Sequence, residues 1–408
     1  MKKIVFLLLF LFIFLLIIFH SNKNKNIENK ITIKFSSWGS QSETIIINKL
    51  IKKYENDNPN IKIDFIHIPQ NYFQKIQLLF ASNLEPDVIF INNQNIKMYI
   101  KADMLEDLTS YIKKELYFNE ALNCFKYNDK IYAIPRDIST LVIYYNKDML
   151  KNAGINPNKD IKDIFSLKDS AIKLTNKNHF GINFEEDVLY WSYYLASNGG
   201  GIFSDDIKKL IITKPESIEA LQLYTDLVNK YHAAPTKAEI GSMTTAQMFI
   251  NKKIAMYLGG RWMTPKFRET INFDWDIINF PTTDNNKVYI DSSGWAVSKK
   301  SKNKAEAIKF IQFLSNDESL KEISKTGLII PAKIKVAKSL IENDKNNKPT
   351  HSYLFIEMLS KTKPTPVNEN YKIINDIIKE STEPLFNGKK DIKNAFNKKT
   401  VKKLESLI

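Results

Sequence analysis

The sequence is poor in the residues that form disulfides and metal centres. Its only cysteine is Cys124, so no disulfide can form within the chain and the fold must be held by its hydrophobic core. The five histidines lie far apart and none belongs to an H-x-x-x-H pair, which argues against a zinc site. We therefore predict no metal site and no cofactor.

Signatures of common enzyme sites are also missing. The chain contains no G-x-x-x-x-G-K-[ST] phosphate loop and no G-x-S-x-G nucleophile turn. The glycines 199–201 are followed by Asp205 and Asp206, which would repel phosphate, so a tight turn explains them better. Glu185, Glu186 and Asp187 form the most obvious carboxylate cluster, and we interpret it as an exposed loop rather than a glycosidase site. We predict no catalytic residue.

Arginine is scarce although the net charge is +14. Only three of the 59 basic residues are arginine, and the lysines are scattered along the whole chain. This pattern indicates a compositional bias rather than a patch for nucleic acid. In a chain that uses lysine for most of its positive charge, an arginine indicates a need for the planar, five-donor guanidinium. Arg136 and Arg261 are therefore candidates for a site.

The first 30 residues differ from the rest. Met1, Lys2 and Lys3 precede an apolar run at 4–19 and a polar stretch at 20–30, the order of an export signal. The run is a little shorter than the roughly 20 residues of a comfortable bilayer span. Because no small-x-small cleavage site and no lipid-anchor cysteine follow it, a cleaved signal peptide and an uncleaved membrane anchor both stay open. We expect the protein to be exported, to the periplasm or the outer face of the cytoplasmic membrane.

Hydrophobic periodicity predicts an α/β fold. Alternation at 31–35, 61–65 and the apolar run at 87–91 indicate strands, and helical periodicity occupies 43–56 and 72–82. This β-α-β-α-β order is typical of a doubly wound sheet, in which ligands bind beyond the carboxyl ends of the strands. Those ends are Ser37-Trp38 and the asparagines 92–93.

A second α/β region follows. Strands are predicted at 141–145, 254–258, 274–278 and 294–298, with a helix at 215–231, and the remainder is mostly helical.

Three of the five tryptophans stand at predicted strand ends or next to glycine. Trp38 follows a strand, Trp262 follows Gly259-Gly260-Arg261, and Trp295 follows Gly294. Sugars pack their C–H faces on aromatic rings while their hydroxyls need polar partners, so these rings are candidates for a sugar cleft. Packing in the core explains each ring equally well, and Trp275, inside an alternating strand, is expected in the core.

Several short motifs follow one another between residues 31 and about 400. They are Tyr54-Glu55 with Pro59 and Ile61; Leu84-Glu85-Pro86-Asp87-Val88; residues 130–137; residues 144–148; Ala153-Gly154-Ile155; Ala220-Leu221; residues 255–262; residues 294–298; residues 307–314; and Gly327 with Pro331. Each is weak alone, but their order is specific. Together they resemble the family 1 extracellular solute-binding proteins of bacterial ABC importers, the group that includes maltose-binding protein.

The resemblance implies two doubly wound α/β lobes joined by a hinge, as in type II periplasmic binding proteins, with a ligand cleft between them. It places residues 31–137 and 285–330 in lobe 1, and residues 138–284 and 331–408 in lobe 2. The implied role is to capture a sugar or oligosaccharide in the cleft and deliver it, as a monomer, to a membrane permease.

The resemblance also implies ligand contacts on the loops at the cleft and gives Asp87 a structural role in a turn. The ligand-binding candidates are Trp38, Asn93, Gln94, Arg136, Asp137, Asn198, Arg261, Trp262 and Trp295.

Three alternatives remain open at this point. The same scaffold could bind another solute, such as a polyol phosphate, a polyamine or a peptide, and Arg136 and Arg261 near one cleft would suit an anionic ligand. An exported glycosidase and an adhesion or structural protein are the other two.

Overall fold

The computed structural model describes residues 30–283, 285–344 and 347–408. The predicted signal or anchor segment lies outside these ranges except for Lys30. Within them, no helix combines the length and the hydrophobicity needed to span a bilayer.

The strands are β1 (Ile31–Ser37), β2 (Ile61–His67), β3 (Val88–Asn92), β4 (Lys126–Tyr127), β5 (Lys130–Ile131), β6 (Ile134–Ser139), β7 (Leu141–Asn146), β8 (Phe180–Ile182), β9 (Ile254–Gly260), β10 (Trp275–Asn279), β11 (Val288–Val297), β12 (Ile330–Pro331) and β13 (Thr362–Pro364).

The α-helices are α1 (Gln41–Asp57), α2 (Tyr72–Ala81), α3 (Asn93–Lys101), α4 (Asn119–Cys124), α5 (Lys147–Asn152), α6 (Pro157–Asp160), α7 (Ile164–Leu174), α8 (Val188–Ser197), α9 (Pro215–Asn229), α10 (Lys237–Ile240), α11 (Thr245–Ile250), α12 (Thr264–Thr270), α13 (Lys304–Leu314), α14 (Asp317–Ser324), α15 (Ile334–Asp344), α16 (Leu354–Glu357), α17 (Tyr371–Phe386), α18 (Ile392–Ala395) and α19 (Lys398–Glu405).

The larger sheet has the strand order β12-β6-β11-β3-β1-β2, and β13 also pairs with β11. The pairs β1–β2 and β1–β3 are parallel, as the β-α-β-α-β pattern predicts, because each crossover carries a helix. β11 enters antiparallel between β3 and β6. β11 comes late in the chain, and it joins β6 to the three strands that the beginning of the chain forms, β1, β2 and β3.

The smaller sheet has the order β10-β7-β9-β8, with antiparallel pairs except for β8–β9. Its central strand β7 is an unbroken buried run, because both of its faces are covered. Val142 and Tyr144 face one hydrophobic core, and Leu141, Ile143 and Tyr145 face the other.

Two connections pass directly between the sheets. β6 of the larger sheet continues through the single buried residue Thr140 into β7 of the smaller one. The chain returns from β10 to β11 through residues 280–287. These short crossovers are where one half can rotate against the other.

The predicted strands and the longer predicted helices all appear, within a few residues of the expected bounds. β11 is longer than expected, because it begins at Val288 rather than at 294. The lobe boundaries stay a prediction. Within the stretch assigned to lobe 2, β13 pairs with β11 of the larger sheet and α15 follows β12 of that sheet.

Asp87 has the structural role expected for it. Its carboxylate accepts hydrogen bonds from the backbone N–H of Lys34 at 2.8 Å and from the Ser301 hydroxyl at 2.5 Å, and thereby ties β1 to the turn after β11.

Candidate ligand-binding site

Three aromatic rings pack together, tilted by 39° from one to the next, at one end of the larger sheet. The Phe90 ring lies between Trp38 and Trp295, with centroid distances of 4.0 Å and 4.6 Å. Trp38 follows β1 and is half-buried, whereas Trp295 on β11 is 0% exposed. Of the two tryptophans, Trp38 is therefore the one that offers a surface to a ligand in this conformation, and Trp295 supports it through Phe90.

Arg136 lies over the same aromatic stack, and its charge is satisfied within the protein. Its Nε donates to Oδ2 of Asp137 at 2.6 Å and its Nη1 to Oε1 of Glu43 at 3.3 Å. The guanidinium carbon is 4.2 Å from the centroid of the Phe90 ring. Burial raises the pKa of Asp137, although Arg136 opposes the shift. The two carboxylates outnumber the arginine, so this corner does not favour an anionic ligand.

Asn93 and Gln94, at the carboxyl end of β3, both bind Asp291 of β11. Each side-chain amide donates to one carboxylate oxygen at 2.9 Å, and the Thr365 hydroxyl donates at 2.8 Å. Burial raises the pKa of Asp291, and the nearby carboxylate of Asp187 adds to the rise. Asp291 therefore orders both predicted residues.

Asp187 and Tyr371 approach this network from other parts of the fold. Asp187 caps the N-terminus of α8 by accepting from the backbone N–H of Leu189 at 2.8 Å. Burial raises the pKa of the Tyr371 hydroxyl, and the charges of Asp291 and Asp187 raise it further. A small pocket beside them is lined by Val188, Tyr289, Thr365 and Tyr371, among others. The side chains of Asp291 on β11, Asp187 at the N-terminus of α8 and Tyr371 on α17 are thus near one another, where the two halves of the molecule face each other.

The interpretation of residues 185–187 as an exposed loop is wrong for Glu185. Its carboxylate accepts from the Thr245 hydroxyl and, at 3.4 Å, from Asn183, and burial raises its pKa. Only Asp187 of the three is exposed.

Arg261 does not join the Arg136 cluster. It is 2% exposed, and its Nε donates to the carbonyl of Gly327 at 3.0 Å while Nη2 donates to Asp344 at 2.7 Å. Arg268 shares the same Asp344 oxygen at 2.6 Å. Asp344 is the last residue of α15, which follows β12 of the larger sheet. Arg261 therefore connects the end of β9 in the smaller sheet to the larger-sheet half.

Trp262 and Asn198 have other contacts. The half-buried Trp262 ring rests directly on Gly260, where an added Cβ would come within 1.9 Å of the ring. Asn198 ends α8 and donates to the carbonyl of Glu216 at 2.9 Å. Since α8 rises about 1.5 Å per residue, Asn198 lies about 16 Å from Asp187 at its other end.

The larger sheet therefore brings six predicted residues together: Trp38, Asn93, Gln94, Arg136, Asp137 and Trp295. Sequence reasoning missed Glu43, Asp187, Asp291, Thr365 and Tyr371. For Asp291 no clear signal was present, because the predicted strand began only at residue 294 and Ser292 and Ser293 follow the carboxylate. For Tyr371 we find no signal either.

This arrangement suits a polyhydroxylated solute. It combines an aromatic face with carboxylate and amide groups that can exchange hydrogen bonds with hydroxyls. Among the described residues, no group of three or more His, Cys, Asp or Glu side chains could hold a metal ion.

Comparisons with known proteins identify the family. The sequence model of the bacterial extracellular solute-binding protein family matches residues 30–321. A maltooligosaccharide ABC transporter solute-binding lipoprotein of Streptococcus pneumoniae is 28% identical over 280 residues, which are 66% of this chain and 64% of that protein.

Two solved structures have the same fold. An ABC substrate-binding protein of Listeria monocytogenes, in complex with cycloalternan, superposes with a TM-score of 0.80 at 27% identity, covering 93% of this chain and 98% of that one. A maltose-bound MalE3 of T. maritima gives a TM-score of 0.79 at 20% identity, covering 93% and 100%. These similarities confirm the predicted type II fold, and the chain belongs to the bacterial extracellular solute-binding protein family.

Proposed function

We propose that this protein is the exported solute-binding subunit of an ABC importer, and that it captures a neutral sugar or oligosaccharide between its two halves and delivers it to a membrane permease. It acts as a monomer, without catalysis, and residues 1–30 serve for export or membrane attachment. The observation that carries the proposal is the stack of Trp38 on Phe90 beside the Asp291 network.

The charges of the site favour a neutral ligand over an anionic one. Arg136 is neutralised by Asp137 and Glu43, and Arg261 is engaged with Asp344. Neither guanidinium is available to form the paired bonds that a phosphate or a carboxylate requires. The polyol-phosphate alternative therefore loses its main support.

Closure follows from the two-sheet architecture. A sugar that contacts Trp38 of the larger-sheet half gains contacts with the smaller-sheet half, such as Trp262, when the halves approach. It therefore binds the closed state better than the open one. Thr140, between β6 and β7, is one point at which the backbone must rotate.

Titration calorimetry with a panel of neutral and acidic oligosaccharides tests the proposal. We expect a neutral member to bind, and Trp38→Ala to weaken its binding by about 2 kcal/mol because the stacking face is lost. Trp262→Ala should weaken binding by a similar amount, because that ring is also proposed to contact the ligand, and unchanged affinity would remove it from the site. Trp275→Phe, a change in the core of β10, is the matched control and should leave affinity unchanged. Binding of acidic sugars alone, or turnover of any glycoside, would contradict the proposal.

A further inference from the structure

Residues 389–403, which we call the basic segment, carry a concentration of charge that the rest of the chain lacks. Seven of these fifteen residues are lysines, all exposed: Lys389, Lys390, Lys393, Lys398, Lys399, Lys402 and Lys403. None of them forms an ion pair with a described residue. Elsewhere the lysines are interleaved with carboxylates, as in the pairs Lys49–Glu322 at 2.9 Å and Lys304–Glu106 at 2.8 Å.

The fold turns these lysines outward. Ile392, Phe396 and Leu404 are buried in the core of the smaller-sheet half, which fixes α18 and α19 against α17. At 100° per residue, the four lysines of α19 fall within an arc of about 140° on the side away from Leu404. They therefore form a fixed surface rather than a disordered tail.

Few carboxylates offset this charge. The segment contains Asp391, and Glu405 follows it on α19. The Asp391 side chain is engaged as the cap of α18, accepting from the backbone N–H of Asn394 at 2.7 Å. The surface thus stays strongly positive at neutral pH.

We propose that the basic segment docks on a bilayer of anionic phospholipid and holds the smaller-sheet half against the membrane. Lysine suits the diffuse phosphodiester charge of a lipid surface, because it is a flexible point charge. A surface for single-stranded nucleic acid would be expected to add exposed aromatic rings for stacking, and the basic segment has none, since its one aromatic residue, Phe396, is buried.

Vesicle sedimentation tests this inference with the chain from residue 30 onward, which contains every described helix and strand and leaves out the apolar run. We expect it to bind vesicles of three parts phosphatidylcholine to one part phosphatidylglycerol, and not vesicles of phosphatidylcholine alone. Replacing the four lysines of α19 (Lys398, Lys399, Lys402 and Lys403) by glutamine should lower the partition coefficient by up to about a thousandfold. High salt should have a similar effect.

The matched control removes the same charge from exposed lysines on four other helices, by Lys52→Gln, Lys75→Gln, Lys309→Gln and Lys338→Gln. Its partition coefficient should change by less than about threefold. Circular dichroism should show both variants folded. Equal losses in the two variants would overturn the inference in favour of overall charge. Binding to a single-stranded oligonucleotide without binding to the anionic vesicles would overturn it in favour of a nucleic-acid surface.

Discussion

Arg136 and Arg261 are both buried and both are site candidates by sequence, yet they have different roles. Arg136 has two carboxylates of its own, Asp137 and Glu43, and lies on an aromatic stack beside the proposed ligand site. Arg261 shares a single carboxylate, that of Asp344, with Arg268. Arg136 thus orders the surface proposed to bind ligand, and Arg261 connects two parts of the fold.

The difference teaches that residue type alone does not locate a site in this chain. Asp137 is the next residue of β6, so the sequence places this partner beside Arg136 directly, whereas Glu43 lies in the first turn of α1, 93 residues earlier. Gly327 and Asp344 lie 66 and 83 residues after Arg261 in the sequence, and no local pattern connects them.

The largest expected effect comes from Asp344→Asn. Burial alone would raise the pKa of Asp344, but the Arg268 and Arg261 guanidiniums lower it, so the carboxylate is charged at neutral pH. Its loss leaves a 2%-exposed arginine without a counter-charge, and we expect the free energy of unfolding to fall by about 3–5 kcal/mol. Urea denaturation measures this change.

Glu43→Gln is the matched change at the other arginine. Arg136 keeps Asp137, and glutamine preserves the capping box of α1, so the cost should be about 1 kcal/mol. Equal losses in the two variants would show that the arginines are equivalent, against the comparison made above.

Trp295→Ala tests whether Trp295 only supports the neighbouring rings or also contacts the ligand. Because the ring is 0% exposed and packs against Phe35 and Phe90, we expect a loss of about 3 kcal/mol in unfolding free energy. Trp38→Ala should cost less stability, because the ring is half-buried, and more affinity. A stable Trp295→Ala protein with abolished sugar binding would instead place Trp295 in direct contact with ligand.

The last expected effect concerns pH. Burial raises the pKa of Asp291, so the folded state retains a proton that the unfolded state has released above about pH 3.9. The wild type should therefore lose stability relative to Asp291→Asn as the pH rises from that value through the raised pKa, by up to about 1.4 kcal/mol per pH unit. Denaturation of both proteins across pH 4–7 checks the sign. A difference that grows in favour of the wild type would contradict it.

Much of the fold was predictable because hydrophobic periodicity records which face of an element is buried. The β-α-β-α-β start and the buried run of β7 follow directly from it. The order of the larger sheet does not, since β11 enters between β3 and β6 from almost 200 residues later in the chain.

The site was predictable in part for the same reason. Trp38, Asn93 and Gln94 follow strands whose carboxyl ends must meet at one edge. Trp295 is buried against Phe35 and Phe90, and Glu185 binds Thr245. These contacts, like the approach of Asp187 and Tyr371, join residues far apart in the sequence, which short-range patterns do not encode.

Small-angle scattering with and without a bound neutral oligosaccharide tests most directly whether two halves close on a carbohydrate. We predict that saturation with the sugar identified by calorimetry reduces the radius of gyration, and that Trp38→Ala needs more sugar to reach the same compact state. A sugar that saturates the protein while the scattering profile stays the same would contradict this account.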